Sequence, residues 1–317
     1  MGTTLRTGDR IDGRYRVLDL LADGGMGTVF LAEHVLIKRR VALKVLHDEL
    51  AHDVLTVHHF LTEGTAAGTL GHPNIVESTD MGHTDDGVPF IVYELLEGAL
   101  LSAELRRAGV LPIRRAVRIA RQIAAALVAA HAKSIIHLDL KCDNVFLVEH
   151  EGITDHVKVI DFGIACQLGR DKHSTITGTV DYMPPEQITA PATLDQRADI
   201  YALGVVLYEM VAGHCPFEDA DPLALMRQVV TQDPPPLGPD VPPALALLID
   251  EMLAKHPDDR PPSMKHVLAA LDEIEDDLEL PMTFQLPVIA TPPPAQPWPF
   301  GMIALRLAVG FAAYLIA

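Results

Sequence analysis

Four short stretches of the chain place ionisable or hydrogen-bonding groups at spacings that suit phosphate chemistry. Residues 136–147 read IHLDLKCDNVFL, which puts His137, Asp139, Lys141 and Asn144 in one predicted loop ahead of a strand. Residues 158–163 read KVIDFG, with Asp161 at the end of an apolar run. Two carboxylates and an amide in consecutive loops suit a Mg²⁺ ion bridging polyphosphate oxygens, with one carboxylate left over as a base. Upstream, LADGGMGTV at 21–29 is a glycine-rich turn between two predicted strands. Glycines there let backbone N–H groups close over an anion without obstruction by Cβ atoms. Glycine-rich hairpins are common, however, and no Gly-Lys-Ser/Thr follows, so this is not a Walker loop. Lys44, in VALK, lies among apolar strand residues, where a charge is costly unless anions neutralise it. Glu63, nineteen residues later, is a candidate partner. On spacing alone, a surface lysine and a surface glutamate describe the pair better.

The elements that must position these groups are legible in outline. The chain has 317 residues, 25 Lys and Arg against 43 Asp and Glu, and a formal net charge of -18. At about 100–200 residues per domain this is one large or two modest domains. With 49% hydrophobic and 21% charged residues the composition is that of a soluble globular protein, which excludes global disorder and a polytopic membrane protein. The acidic balance argues against nucleic-acid binding, which draws on a basic surface. Cys142, Cys166 and Cys215 are widely spaced without a CxxC, as expected of a reducing cytosol with neither disulfides nor a zinc site. The histidines at 47, 52, 58 and 59 lack ligand spacing and read as solvated. The opening MGTTLRTGDRIDGRY has no apolar h-region, so no secretory leader is expected, and Arg6 stands where a myristoylation signal needs a hydroxyl.

Short runs rich in Val, Leu and aromatics predict strands at 15–22, 28–34, 41–47, 75–81 and 88–93, around one helix at 54–70. Beyond Gly98 the pattern turns helical. Residues 113–133 put Ile113, Val117, Ala120, Ile123, Ala124, Leu127 and His131 on one face and Arg114, Arg115, Arg118 and Arg121 largely on the other. Further helices are expected at 200–211, 222–230, 244–253 and 264–271, with the acidic run 272–279 as a solvated helix end. Seven prolines fall between 281 and 300, an extended linker. No internal repeat is present.

In order and context these segments resemble the signature set of the protein kinases: glycine loop, VAIK, HRDLxxxN and DFG. The likeness continues through GTVDYMPPEQ at 178–187, ADIYALGVVLYEM at 198–210, GHCPF at 213–217 and DDRP at 258–261, and covers about residues 15–273. The GGMG glycine loop is similar to that of the eukaryotic-like (Hanks-type) Ser/Thr kinases of bacteria. The resemblance implies an α+β bilobal kinase fold, with a small antiparallel β N-lobe carrying one helix and a larger, mainly helical C-lobe. It divides the chain into an N-terminal extension (1–14), a kinase domain (N-lobe 15–96, C-lobe 98–275), an acidic then Pro-rich linker (276–300) and an apolar C-terminal segment (301–317).

The same resemblance implies roles. Leu21, Ala22, Asp23, Met26, Thr28 and Val29 belong to the ATP site, Gly24, Gly25 and Gly27 cover the ATP phosphates, and Lys44 holds the α- and β-phosphates while paired to Glu63. Ala42 and Phe146 sandwich the adenine, Tyr93 is the gatekeeper, and Glu94 and Leu96 form the hinge. Asp139 accepts the substrate hydroxyl proton, Lys141 steadies the transferring phosphoryl group, and Asn144 and Asp161 hold Mg²⁺, with Mn²⁺ as the alternative. Thr179 links the catalytic Asp to the substrate-binding loop, which together with Lys141 favours Ser and Thr as acceptors. Glu186 and Arg260 resemble a buried ion pair, and Asp199 resembles the helix residue that fixes the catalytic-loop backbone. The expected function is ATP-dependent phosphorylation of Ser/Thr on protein substrates, with autophosphorylation, in a cytoplasmic signalling role. The alternatives are a pseudokinase scaffold and a small-molecule phosphotransferase; the latter lacks an activation segment of the GT…PPE kind.

The chain departs from the pattern at four places. Ala22 replaces the first loop glycine, Leu138 the Arg of HRD, Cys142 the Pro of the catalytic loop and Pro184 the Ala of APE. Leucine cannot pair with a phosphorylated residue, so activity is expected to depend little on phosphorylation at Ser174, Thr175 or Thr177. Cys142 reads as a small loop residue in preference to a redox switch, and Pro184 as structural. The last seventeen residues, apolar except for Arg306, extend about 25 Å as a helix, short of a ~30 Å hydrocarbon core. They are a candidate tether to the cytoplasmic face of a membrane, with Trp298 and Phe300 at the interface, or else a tail packing on the kinase or a truncated longer region. Oligomeric state is left open.

Overall fold

Alternating apolar residues broken by glycine or charged turns give the first part of the chain its strands. The computed structural model describes residues 5–150, 153–162, 166–167 and 180–279. Strands β1 (Arg10–Ile11), β2 (Tyr15–Asp23), β3 (Gly27–His34), β4 (Arg40–Leu46), β5 (Ser78–His83) and β6 (Pro89–Glu94) form one antiparallel sheet in the order β1-β2-β3-β4-β6-β5. Helix α1 (Val54–Leu70) packs on it through Phe60, Gly64 and Ala67, while Ala66 and Leu70 join the core of the larger lobe. Asp53 caps its start by accepting from Thr56 N at 3.2 Å, and Gly71 ends it in the left-handed region at φ 58°. The sheet's inner face and α1 share a core that includes Val17, Ala32, Leu43, Phe60, Phe90, Ile91 and Val92.

The larger lobe is mainly helical. Strand β7 (Gly98–Leu100) leads into α2 (Leu101–Ala108) and α3 (Ile113–Ala132); then come the short β8 (Ile135–Ile136), β9 (Val145–His150), β10 (Ile153–Val159) and β11 (Cys166–Gln167). Strands β10-β9-β7 form one antiparallel sheet and β11-β8 another. Helices α4 (Pro185–Thr189), α5 (Arg197–Ala212), α6 (Pro222–Thr231), α7 (Pro243–Met252) and α8 (Met264–Glu279) complete it. The nearly all-apolar α5 is buried from Ala198 to Tyr208, and α3 turns Val117, Ala120, Ile123, Ala124 and Leu127 into the same core. This is the bilobal α+β arrangement that the signature motifs imply.

Three boundaries differ from expectation. Residues 75–77 are not strand: Val76 N donates to Val159 O and Val159 N to Asn74 O, so this stretch links the small sheet to β10. The stretch 1–14 is not wholly an extension, because Arg10 and Ile11 pair with Arg16 and Tyr15, and Ile11 is buried in the small-lobe core. The acidic run is neither simply solvated nor the start of a linker at 276. Helix α8 continues to Glu279 because the arginine face of α3 meets it. Arg118 Nε donates to Glu275 Oε1 at 2.8 Å, Arg121 reaches the other oxygen, Arg118 also reaches Glu279 at 3.1 Å, and Arg114 donates to the Leu278 carbonyl. Sequence periodicity found the arginine face without its partner. The Pro-rich stretch and the segment 301–317 lie outside the described residues; among those described, no helix is long and apolar enough to cross a membrane.

Glu275 is the shared acceptor of this ladder and is 8% exposed. Glu275→Ala is expected to cost about 1–2 kcal/mol, since two guanidiniums lose a largely buried acceptor, and to lower the thermal midpoint by roughly 2–6 °C. Asp277→Ala, on the exposed side of α8, should stay within about 0.5 kcal/mol of the parent. Calorimetry on both variants checks this, and equal midpoints would remove the ladder as a stabilising element.

Candidate active site

The centre of the site is a lysine that has found its anions. Lys44, on β4, donates from Nζ to both oxygens of Glu63 on α1, at 2.8 and 3.0 Å, and to Asp161 Oδ1 at 2.7 Å. The surface description of Lys44 and Glu63 therefore does not hold: the lysine side chain is 12% exposed and the glutamate 1%. Burial works against the Lys44 charge, but Glu63 and Asp161 outweigh it and hold its pKa above the ordinary lysine value. Burial pushes the Glu63 carboxyl up to about 7, opposed by Lys44. Asp161 is also opposed by burial, yet Lys44 leaves its pKa lowered. The Tyr93 hydroxyl, on β6, donates to Glu63 Oε1 at 2.6 Å. Sequence reading placed Tyr93 beside the adenine and had no signal for this bond.

Above the lysine, β2 and β3 close the glycine turn. Gly27 is required by packing within the protein, because a Cβ there would stand 2.3 Å from Val45 O. Gly25 has open space around a built Cβ, and Gly24 only ordinary contact with Gly27 O. These two are thus not explained by internal packing. The turn is fastened from outside: Thr28 Oγ1 donates to Asp23 Oδ1 at 2.7 Å, His47 Nε2 lies 3.1 Å from the same oxygen, and His47 N donates to Met26 O at 3.0 Å. His47 is consequently not merely solvated, a correction that only the β3–β4 register could have supplied. Ala22 sits in β2 opposite Val29, and Leu21 beside it is half exposed.

The loop between β8 and β9 carries the second cluster. Asp139 Oδ2 accepts from Lys141 Nζ at 3.0 Å and from Asn144 Nδ2 at 3.1 Å, and Asn144 Nδ2 also donates to Asp139 O at 2.8 Å. His137, fully buried, lies 3.2 Å from Ile160 O through Nε2 and accepts from Asp139 N through Nδ1 at 3.3 Å, joining this loop to the strand that delivers Asp161. Its ring packs on Phe162 at a centroid distance of 4.5 Å. Two residues of these catalytic segments sit in the left-handed region without being glycine, Leu138 at φ 62° and Asp161 at φ 57°, a costly conformation that needs support. For Leu138 it comes from Asp199 on α5, which accepts from His137 N at 2.9 Å and Leu138 N at 3.0 Å, with His131 Nε2 at 2.7 Å. Burial disfavours the Asp199 charge, yet these partners keep its pKa lowered.

Leu138 is buried with Ile136, Ala198 and Leu194, so an apolar cluster occupies the position of the departed arginine. Cys142 is fully buried, and its thiol donates to Glu209 Oε2 at 2.9 Å, the same oxygen that Tyr182 reaches at 2.6 Å. Burial and the nearby Glu209 push the thiol pKa well above its ordinary value, which keeps it from the reactive thiolate form. Arg260 binds Glu186 in bidentate fashion, both distances 2.7 Å, and both residues are buried. Pro184 caps α4, with Pro185 as its first residue, so the two prolines start a helix. Ala42 pairs with Tyr93 across β4 and β6, while Phe146 lies on β9 opposite Lys158 and Leu100. Glu94 accepts from Lys158 at 2.6 Å and Glu77 N at 2.9 Å, and Leu96 packs against the small-lobe core. Gly163, Ser174, Thr175, Thr177 and Thr179 lie outside the described residues.

A family profile described as "Protein kinase domain" matches residues 15–270. The chain belongs to the protein kinase family. It is similar to the serine/threonine-protein kinase pkn3 of Myxococcus xanthus, 38% identical over 282 residues, which cover 85% of this chain and 51% of that protein. The serine/threonine-protein kinase Pkn1 of the same organism is 42% identical over 255 residues (78% and 36%). PrkC of Bacillus subtilis strain 168, also a serine/threonine-protein kinase, is 38% identical over 256 residues (79% and 39%). The chain thus spans about half the length of these relatives or less. Family membership implies ATP and a divalent cation in general terms.

Proposed function

We propose that the chain is an ATP-dependent kinase that phosphorylates Ser and Thr hydroxyls on proteins, its own included, in bacterial-type signalling. The observation that carries the reading is the contact of Lys44 with Glu63 and Asp161 at 2.7–3.0 Å, which a scaffold has no need to maintain at the cost of burying the Lys44 and Glu63 charges. The likeness to relatives named serine/threonine-protein kinases supports the class of acceptor.

In this reading Lys44 holds the α- and β-phosphates and residues 21–29 cover them, the open space at Gly25 leaving backbone N–H groups accessible. Ala42 and Phe146 enclose the adenine, with Glu94 and Leu96 reading its edge and Tyr93 behind it. Asp139 is the base. Its Oδ2 is occupied by Lys141 and Asn144, while Oδ1 takes no hydrogen bond among the described residues and is the atom available to a substrate hydroxyl proton. That proton passes to Asp139 as the hydroxyl oxygen bonds to the γ-phosphorus and ADP leaves. Lys141 stays beside the base to steady the transferring group.

The donor set fits Mg²⁺. Asn144 spends its NH₂ on Asp139, leaving its carbonyl oxygen, and Asp161 adds a carboxylate whose side chain is 44% exposed. Such an ion would take its remaining ligands from phosphate and water. When bound, the ion neutralises phosphate charge. Mn²⁺ fits the same oxygens. The kinase domain is assigned to the cytoplasm, and residues 301–317 are the proposed tether.

Incubated with Mg·ATP, the chain is expected to place phosphate on its own Ser or Thr, and Asp139→Asn to lose about 10²–10⁴-fold in rate. ATP binding with silence from both would instead identify a pseudokinase. Because Leu138 is packed among apolar residues, the triple variant Ser174→Ala/Thr175→Ala/Thr177→Ala should keep its rate on an added peptide within about threefold; near-complete loss refutes this independence. In cell fractionation the full chain should partition to the membrane pellet and a chain ending at residue 300 to the supernatant; identical partitioning removes the tether.

A further inference from the structure

Two donors from different strands converge on one carboxylate oxygen. Glu63 Oε1 accepts from Lys44 Nζ at 2.8 Å and from the Tyr93 hydroxyl at 2.6 Å. Glu63 is 1% exposed and Tyr93 8%, so water is no ready substitute for either partner. The two donors are not equivalent. Lys44 also bonds Asp161 and, in the reading above, serves phosphate, so its ammonium is shared among several anions. Among the described residues the phenol has one partner, and it is carried on β6, which is paired on both sides, Tyr93 lying opposite Ala42 of β4 and Ser78 of β5.

Helix α1, by contrast, is held unevenly. Its first residues, Val54 and Leu55, are 80% and 64% exposed, and its buried contacts begin at Phe60. Its far end is tied down, Lys133 donating to the Thr69 and Leu70 carbonyls. In between, the helix lies close against the sheet at Gly64, where a Cβ would fall 2.4 Å from Met81 Sδ and 3.0 Å from Ile91. That approach brings the neighbouring Glu63 within reach of Tyr93.

We propose that the Tyr93 hydroxyl is a positioning group for phosphoryl transfer, anchoring Glu63, and through it α1 and Lys44, by a bond that makes no use of the lysine charge. The proposal rests on the kinase reading. It adds that Glu63 stays in place while Lys44 redistributes among its anions. Phenylalanine retains the ring that fills this space and loses only the anchor.

The test uses the full chain as wild type, Tyr93→Phe, Glu63→Ala and the double variant, with a peptide substrate and Mg·ATP, alongside amide hydrogen exchange over α1. Tyr93→Phe should lower kcat about tenfold, the scale of a lost hydrogen bond to a charged acceptor, with KM for ATP within about twofold. Exchange at α1 amides should rise. In the Glu63→Ala background, Tyr93→Phe should change neither quantity further, because the hydroxyl acts only through that carboxylate. An equal loss in both backgrounds would make Tyr93 a packing residue and overturn the proposal, as would a Tyr93→Phe chain with wild-type kcat and exchange. A wild-type chain without kinase activity ends the kinase reading instead; the exchange comparison across the four chains then still reads whether Tyr93 anchors Glu63.

Discussion

A lysine ammonium inside a small β-sheet has to be neutralised on the spot, and much of the site is arranged around that requirement. Lys44 cannot rely on water, so two carboxylates from distant parts of the chain are brought to it. Each imposes a structural demand. Glu63 requires a helix against the sheet at the right height, which accounts for the close approach at Gly64. Asp161 requires the end of β10 to reach the small lobe, and the main-chain bonds among Asn74, Val76 and Val159 make that junction. The charge that would serve phosphate is thus also a clasp between the lobes. Coulomb attraction alone would be a poor clasp, since two anions close together disfavour each other's ionised forms, and the lifted pKa of Glu63 reflects both its burial and the neighbouring Asp161.

The larger lobe solves the corresponding problem with the opposite charge. Asp199 is a buried carboxylate with His131 and two main-chain N–H groups as its donors. Those N–H groups belong to His137 and Leu138, so the bonds that pay for burying Asp199 also stabilise the left-handed backbone at Leu138. The turn they fix aims Asp139 away from the core. His137 then carries the constraint on to Ile160, one residue before Asp161. A single buried anion therefore sets both the loop of the proposed base and the approach to the proposed metal ligand.

Much of this was legible in the residues because the motifs are local: the glycine turn, Lys44 on its strand and the His137–Asn144 loop each fall within a dozen residues, and the helix at 54–70 has the bounds expected of it. What stayed hidden depends on register and on pairs far apart in sequence. Tyr93 and Glu63 are thirty residues apart, Cys142 and Glu209 sixty-seven, and Arg118 and Glu275 one hundred and fifty-seven. No periodicity rule links such positions. The solvated description failed for His47 and for Glu275 for one reason: a polar side chain looks solvated until the element packed against it is known. The strand at 75–81 began late because Ile75 and Val76, apolar enough for a strand, are used at the lobe junction instead.

The departures at positions 138 and 142 share a physical logic. An arginine in the catalytic loop would be a buried charge in need of an anion, and a phosphate added later can supply one. Leucine needs none: Ile136, Ala198 and Leu194 satisfy it by contact alone. A proline at position 142 would stiffen the loop but donate nothing, whereas the Cys142 thiol gives Glu209 a second donor beside Tyr182. That bond draws the catalytic loop, α5 and the stretch carrying Tyr182 to one oxygen. At position 138 the stability held in apolar contacts involves no charge and so varies little with salt. The contacts at these two positions are thus completed by residues of the chain itself, Leu138 by its apolar neighbours and Cys142 by Glu209.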